Sequence, residues 1–145
     1  MDAHDRKIIA LLNADGRAAM QTLSAETGLS RSAVFNRVRR LEKLGVILGY
    51  AARIDRAAMG LQIHAFCSVS LKEHSTRFLE EFEAGIGAFP EVMACFHIAG
   101  TMDYLIEIQV ADMEGFHRFI SKRLAAMKNI GTVQSSFVMR EVCRR

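Results

Sequence analysis

Two short helical patterns separated by three residues constrain the fold most strongly. The first pattern covers residues 20–27 and ends at Gly28, a residue suited to the left-handed end of a helix. Ser30 is a good N-cap for the second pattern, which ends at Gly45. Its apolar stripe at positions i, i+4 and i+7 consists of Val34, Val38 and Leu41. This spacing predicts a helix-turn-helix, in which a short turn sets two helices at a steep angle.

The face opposite the apolar stripe is polar and basic, with five basic residues and one acidic residue between Arg31 and Lys43. Polar side chains near the start of such a helix reach base edges in a DNA major groove, and arginines along its sides neutralise phosphates. The residues expected to face the groove are Arg31, Ser32, Phe35, Asn36 and Arg39. The expected phosphate contacts are Arg37, Arg40 and Lys43. The alternative is a solvated helix face with no partner.

Two weaker patterns flank this unit. A first helix of about three turns is predicted after Asp5, and Gly16 offers a residue that readily adopts a positive φ where that helix ends. Residues 46–55 are β-like and predict a small wing or a strand beside the helices. Arg53 and Arg56 either add phosphate contacts there or serve only as surface charges.

The charge of the chain is divided unevenly. The 145 residues carry a net charge of +3, but residues 1–60 hold ten basic and six acidic residues, a net charge of +4. Residues 61–145 hold nine basic and ten acidic residues, a net charge of −1. Two halves of opposite sign are expected to have different partners, and the basic half fits DNA.

The second half alternates between strand and helix patterns. The strand patterns cover residues 62–72, 92–99, 104–110 and 133–142, and the helical patterns cover residues 78–89 and 113–127. The order βαββαβ is that of ferredoxin-like domains, in which both helices lie on one face of an antiparallel sheet. The predicted fold class is therefore α+β, an N-terminal winged helix-turn-helix followed by a C-terminal ferredoxin-like domain. The expected boundaries are 1–50, a hinge over 51–60, and 61–145.

The sheet face turned away from the helices is expected to be apolar. Strand alternation assigns to it Phe66, Met93, Cys95, Leu105 and Val138. An exposed apolar face of that size needs a cover, and a second copy of the same sheet gives a two-fold dimer. A dimer also presents two recognition helices, about one DNA turn apart, to a near-palindromic site.

Several short motifs occur in a specific order along nearly the whole chain. In the first half they are Asp5-Arg6-Lys7-Ile8-Ile9, Asp15-Gly16-Arg17, Gly28-Leu29-Ser30, Arg37-Val38-Arg39-Arg40-Leu41-Glu42 and Gly45-Val46-Ile47-Leu48-Gly49-Tyr50. In the second half they are Gly100-Thr101-Met102-Asp103-Tyr104 and Val110-Ala111-Asp112-Met113. With these motifs the chain resembles the Lrp/AsnC family, the leucine-responsive and asparagine-responsive regulators of bacteria and archaea.

The resemblance implies a DNA-binding winged helix-turn-helix, a hinge strand and a ligand-sensing sheet domain. It also implies dimers that often assemble into octamers, and a small effector, commonly an amino acid, bound between sheet domains. Carried over by position, the effector site includes His97, Ile98, Gly100, Thr101, Asp103, Tyr104, Ser135, Ser136 and Phe137. Loop amides and hydroxyls can bind a carboxylate, and Asp103 can bind an ammonium group.

The loop departs from the family in one respect, because many relatives have Asp where this chain has Thr101. Either the polar group of the effector is then recognised by different contacts, or the site has lost its ligand. Two simpler alternatives also stand. Residues 100–103 form an ordinary β-turn, and His97 is a hydrogen-bonded core or interface residue.

Patterns typical of enzymes and cofactor sites are missing from the sequence. It has no His-x-x-x-His pair, no cysteine pair with metal spacing, no Gly-x-Ser-x-Gly and no phosphate loop. We therefore expect neither catalysis nor a bound cofactor. The alternative function is a stand-alone small-molecule sensor or assembly protein, which would not need a basic recognition helix.

The sequence also bears on location. No apolar run reaches the roughly 18 residues that a membrane-spanning helix needs, and we expect a cytoplasmic protein. Cys67, Cys95 and Cys143 are far apart in sequence and are expected to be reduced thiols.

Overall fold

The computed structural model describes residues 1–143. The chain divides into two compact units, Met1–Ile54 and the residues from Asp55 onward. None of the helices in residues 1–143 has the length and apolarity needed to cross a membrane. All three cysteines are free, as expected.

The first unit consists of three helices. They are α1 (Ala3–Ala14), α2 (Met20–Thr27) and α3 (Arg31–Lys43). Helix α2 ends at Gly28 in the left-handed conformation, with φ of 70°, and the Ser30 hydroxyl caps α3 by accepting a hydrogen bond from the Ala33 N–H at 3.2 Å. The predicted helix-turn-helix is confirmed. Its core is formed by the buried residues Ile8, Leu23, Val34, Val38 and Leu41.

Three expectations for the first unit are wrong. Helix α1 begins earlier, because the N-cap is Asp2. Its C-cap is Asp15 in an extended conformation, so Gly16 does not need a positive φ. Residues 46–55 form neither a wing nor a strand. A strand needs a neighbour for its N–H and C=O groups, and this segment pairs with no strand within the described chain.

The second unit is a four-stranded antiparallel sheet with helices. Its elements are β1 (Ile63–Leu71), α4 (Thr76–Ile86), β2 (Val92–His97), β3 (Tyr104–Val110), α5 (Met113–Arg118), a π-helical segment (Phe119–Leu124) and β4 (Ile130–Phe137). The strand order is β2-β3-β1-β4. The predicted ferredoxin-like order of strands and helices is confirmed.

One face of this sheet carries the core of the unit. The inward residues of β1 and β3 are buried beneath both helices. They are Ala65, Cys67, Val69, Leu71, Ile106 and Ile108. Phe82 and Ile86 of α4, and Phe119 and Leu124 of the π-helical segment, complete the core. Both helices therefore cover the same face, as the fold requires.

The last helix and last strand differ from their predicted extents. The α-helix ends at Arg118, and a π turn then brings Phe119 and Leu124, five residues apart, closer to one face than an α turn would. Strand β4 ends at Phe137 instead of residue 142. The Val138 N–H donates to the His64 carbonyl, and β1, the neighbour of β4, begins just before that point.

The face assigned to Cys95 is corrected by an irregularity in β2. Val92 pairs with Ile108, but Ala94 pairs with Glu107, so the register shifts at Met93. A bulge inserts one residue and reverses the alternation beyond it. Cys95 consequently packs against the helix-covered core, and Phe96 takes the outer face beside Leu105.

We predict that Gly28→Ala destabilises the protein by about 1 kcal/mol, because an alanine in the left-handed conformation is strained. A Cβ at Gly28 would meet no atom within 4 Å, so the cost is purely conformational. Gly16→Ala is the matched control. Its Cβ would make ordinary contacts, the nearest at 3.7 Å, and its φ is not positive. Denaturant unfolding of both variants is the measurement, and equal stabilities would contradict the prediction.

Candidate functional site

The outer face of α3 presents the polar and basic side chains expected to contact DNA. The residues exposed there are Arg31, Ser32, Phe35, Asn36, Arg39, Arg40 and Lys43. The buried stripe packs the opposite side of α3 into the core and thereby turns this face outward. Within residues 1–143, no carboxylate forms an ion pair with Arg31, Arg39 or Lys43.

Two of the expected phosphate contacts are held by helix α1. Arg37 Nη1 donates to Asp2 Oδ2 at 2.7 Å and to Asp5 Oδ1 at 2.8 Å, and Arg40 Nη2 donates to Asp5 Oδ2 at 2.6 Å. The Asp5 side chain is completely buried, whereas those of Arg37 and Arg40 are 26% and 52% exposed. One buried carboxylate therefore binds two arginines of the recognition helix.

Asp5 is also part of the N-terminal cap of α1. The Asp2 N–H donates to Asp5 Oδ2 at 3.0 Å, and the Asp5 N–H donates to Asp2 Oδ1 at 2.9 Å. The backbone hydrogen bond from Asp5, together with Arg37, lowers the Asp2 pKa to about 2. The backbone hydrogen bond from Asp2, together with Arg37, lowers the Asp5 pKa. Both carboxylates are therefore charged at neutral pH.

The loop between β2 and β3 is tied to the end of β1. The Asp103 N–H donates to the Val69 carbonyl at 2.9 Å, and Asp103 Oδ2 accepts from the Leu71 N–H at 2.7 Å. His74 Nε2 lies 3.0 Å from each Asp103 carboxylate oxygen. The backbone hydrogen bond from Leu71 is the main cause of the lowered Asp103 pKa. The carboxylate expected to bind an ammonium group therefore already has two partners.

His97 and Tyr104 flank this loop and stack on one another. Their ring centroids are 4.7 Å apart, and the buried Tyr104 hydroxyl donates to Glu83 Oε1 at 2.9 Å. His97 Nδ1 lies 3.8 Å from the same Glu83 oxygen. Burial is the largest cause of the raised Tyr104 pKa, so its phenol is neutral at physiological pH. Inside the loop, Ile98 donates from its N–H to the Asp103 carbonyl at 2.8 Å.

The last-strand residues expected at the effector site lie on both faces of the sheet. Ser135 and Phe137 face the helices, where Ser135 Oγ is 3.3 Å from Cys67 Sγ and the Phe137 ring contacts Phe116. Ser136 pairs with Phe66 and shares the opposite face with it. Since β1 lies between β3 and β4, these three residues are across β1 from the loop that carries Gly100 and Thr101. One chain therefore gathers the loop residues but not the last-strand residues.

The site contains partners that sequence reasoning missed. They are Asp2 at the N-cap of α1, Asp5 on α1, His74 after β1, and Glu83 on α4. The spacing Asp2-x-x-Asp5 is the signal that was available, because acidic residues three apart are typical of a helix N-terminus. Within residues 1–143, no group of three or more His, Cys, Asp or Glu side chains is arranged to hold a metal ion.

Comparison with known protein families matches both units. Residues 1–42 match the AsnC-type helix-turn-helix domain, and residues 64–145 match the Lrp/AsnC ligand binding domain. The Bkd operon transcriptional regulator of Pseudomonas aeruginosa is 34% identical over 145 residues, which cover 100% of this chain and 95% of that protein. The leucine-responsive regulatory protein of Rhizobium meliloti is 34% identical over 142 residues, which cover 98% of this chain and 91% of that protein.

Solved structures show the same architecture. A transcriptional regulator from Neisseria meningitidis, solved as a complex with L-Met, has a TM-score of 0.94 at 33% identity, over 99% of this chain and 93% of that one. An AsnC family regulator from Agrobacterium tumefaciens has a TM-score of 0.93 at 30% identity, over 99% and 94%. The fold and both domain matches define a transcription regulator with a DNA-binding unit and a ligand-binding unit. The chain belongs to the Lrp/AsnC family, and the relatives named here are regulators, not enzymes.

We predict that Asp5→Asn lowers the melting temperature of the full chain by roughly 10 °C, because it leaves two arginines without their buried carboxylate. Glu26→Gln, on the exposed surface of α2, is the control and should melt like the wild type. Thermal melting followed by the helical circular dichroism signal is the measurement. Equal melting temperatures for Asp5→Asn and the wild type would contradict this role for Asp5.

Acid sensitivity gives a second readout of the same interaction. The folded pKa values of Asp2 and Asp5 lie below the ordinary 3.8, so the unfolded chain binds more protons between these values. Their stabilising contribution is complete above about pH 5 and is lost as the pH falls through the folded values. The wild type should therefore lose more stability than Asp5→Asn between about pH 5 and pH 2.5.

Proposed function

We propose that this regulator binds specific DNA sequences through the outer face of α3 and that an amino-acid-like effector modulates this activity. The observation that carries the DNA proposal is that three basic side chains of α3 are exposed and unpaired within the described residues. Arg31, Arg39 and Lys43 are exposed and have no ion-pair partner within residues 1–143. A stand-alone sensor would not need such a face.

The residues of α3 are given different roles in this proposal. The side chains proposed to face base edges are Arg31, Ser32, Phe35, Asn36 and Arg39. Lys43 contacts a phosphate. Arg40 is half exposed, so it can contact a phosphate while it also binds Asp5, whereas Arg37 acts mainly by holding α3 in position.

We expect Arg31→Ala combined with Lys43→Ala to weaken DNA binding at least tenfold at fixed salt. The slope of log affinity against log salt should also fall by about 1, because the phosphate that Lys43 contacts loses its partner. The ligand is a DNA fragment recovered by mapping the binding sites of the protein across its own genome. Lys72→Ala with Lys122→Ala is the charge-matched control. An unchanged affinity and salt slope for the α3 variant would refute the DNA interface.

We propose that two copies pair through the sheet face that the helices leave open. Phe66, Leu105 and the 51% exposed Phe96 lie on this face. The hydrogen bond of 2.9 Å between His64 and Glu107 satisfies polar groups there. Pairing of two such faces buries these aromatic rings and places two recognition helices in one particle. By analogy with the family, four dimers assemble further into an octamer.

If the dimer forms through the open sheet face, a variant with a more polar sheet face should have a lower mass in solution. Phe66→Ser combined with Phe96→Ser should yield a monomer at micromolar concentration, because the lost apolar area drives the association. Phe35→Ser, which removes an exposed phenylalanine from α3, should leave the mass unchanged. Light scattering with size exclusion measures both. A monomeric wild type would disprove pairing through the sheet.

We propose that the effector binds at the loop between β2 and β3, at a junction of two sheet domains. Two observations support an amino acid as the effector. They are the match to the Lrp/AsnC ligand binding domain and the L-Met complex of the Neisseria relative. Loop amides and the hydroxyl of exposed Thr101 can bind its carboxylate. An ammonium group that binds Asp103 must take the place of His74.

The other proposed contacts lie around this loop. His97, Ile98, Gly100 and Tyr104 belong to the same copy, and Ser135, Ser136 and Phe137 come from a neighbouring one. Such an effector changes regulation only if it binds one arrangement of the copies better than another.

A calorimetric screen of the twenty amino acids against the full-length protein tests this site. At least one amino acid should bind, Asp103→Ala should abolish binding, and His74→Ala should strengthen it because a competing partner is removed. Glu114→Ala, on the exposed side of α5, is the control. If no amino acid binds, the loop is an ordinary β-turn.

The remaining proposals concern organisation and location. We propose that residues 1–50 and 61–145 are the two domains and that 51–60 is the hinge between them. Because the relatives named above are bacterial and bacterial DNA lies in the cytoplasm, we propose that the protein acts there.

A further inference from the structure

We propose that Phe35 and Arg39 form a two-part base reader, which makes α3 select a thymine close to a guanine in the DNA site. This inference rests on the proposed DNA-binding function and specifies which bases that function reads. The observation behind it is a stacked pair on the outer face of α3, with the Arg39 guanidinium 5.4 Å from the centroid of the Phe35 ring.

Phe35 is an apolar side chain on a polar helix face. It is 47% exposed and does not belong to the buried cluster that forms the core of the first unit. The base edges in a major groove display donors, acceptors and one apolar group, the methyl group of thymine. If α3 lies in the groove, an exposed phenyl ring on its outer face therefore has the thymine methyl as its apolar partner among the bases.

Arg39 is the arginine of α3 that is both stacked and without an ion pair within residues 1–143. Arg37 and Arg40 are bound to Asp5, so neither guanidinium group has all of its donors available for a base edge. Stacking on Phe35 restricts the rotamers of Arg39 before DNA arrives, which reduces the entropy lost on binding. A planar guanidinium then matches O6 and N7 of guanine with two parallel hydrogen bonds.

The spacing of the pair limits the distance between the two bases. Residues i and i+4 are about 6 Å apart along a helix axis, and two base-pair steps span about 6.8 Å. Thymine and guanine should therefore lie within about two base pairs of one another. Both arrangements of the two bases, on the same strand or on opposite strands, fit the pair, since the major groove presents the edges of both strands.

Base analogues in the recovered DNA site test the pair. Replacing the contacted thymine with deoxyuridine removes only the methyl group and should weaken the wild type about fourfold, the expected effect of losing one buried methyl. Replacing the guanine with 7-deazaguanine removes one acceptor and should weaken it about tenfold. Phe35→Ala should be insensitive to deoxyuridine, and Arg39→Ala should be insensitive to 7-deazaguanine.

Selection from randomised DNA provides the second measurement. Wild-type protein should enrich a thymine and a guanine within two base pairs. Phe35→Leu should retain the thymine preference because it keeps an apolar contact, whereas Arg39→Lys should lose the guanine preference while it keeps the charge. Melting temperatures check that each variant is folded.

The outcomes separate this inference from the proposed function. If the wild type selects a sequence but deoxyuridine at every thymine leaves its affinity unchanged, the base reader is overturned and the DNA-binding function stands. The base reader is likewise overturned if Phe35→Ala lowers the melting temperature and weakens binding to all sequences equally, because Phe35 is then a packing residue. If no sequence is selected, both proposals fail.

Discussion

The position of the recognition helix depends on one buried carboxylate. Asp5 caps the start of α1 and accepts hydrogen bonds from Arg37 and Arg40 of α3, so the start of the chain and the DNA-binding element are held by the same group. A buried charge of this kind is strongly unfavourable without its partners, and breaking one of its pairs costs more than a surface ion pair contributes. The Asp5 carboxylate thereby distinguishes Arg37 and Arg40, which it binds, from Arg31 and Arg39, which have no ion-pair partner within residues 1–143.

The sheet domain uses its charged groups in a similar way. Asp103 ties the β2–β3 loop to β1 through the Leu71 N–H, and His74 covers the same carboxylate. The loop is therefore held in place by a residue that also belongs to the proposed effector site. An effector that displaces His74 would act on a group on which the loop geometry depends, which offers a route from binding to a change in the arrangement of copies.

Local patterns were sufficient to predict the helix-turn-helix, the order βαββαβ and strand β3, because each depends on residues close in sequence. Gly28 and Ser30 set the turn between α2 and α3, and alternation set the inward face of β1. The missing wing, the reversed face of Cys95 and the π-helical segment after α5 could not be predicted in this way. Each depends on pairing with a neighbouring strand or on packing against core residues. These partners are distant in sequence, so a window of ten residues does not contain them.

The sequence by itself determined the two-part organisation, the basic character of α3 and its family, since periodicity, charge and motif order are properties of the chain. Only the tertiary structure decided which charges are free. Asp5 lies more than thirty residues before Arg37 and Arg40, and Asp103 a similar distance after Leu71, so their contacts arise only when distant segments fold together. Long-range packing therefore determines whether an arginine on α3 has a structural or a functional role.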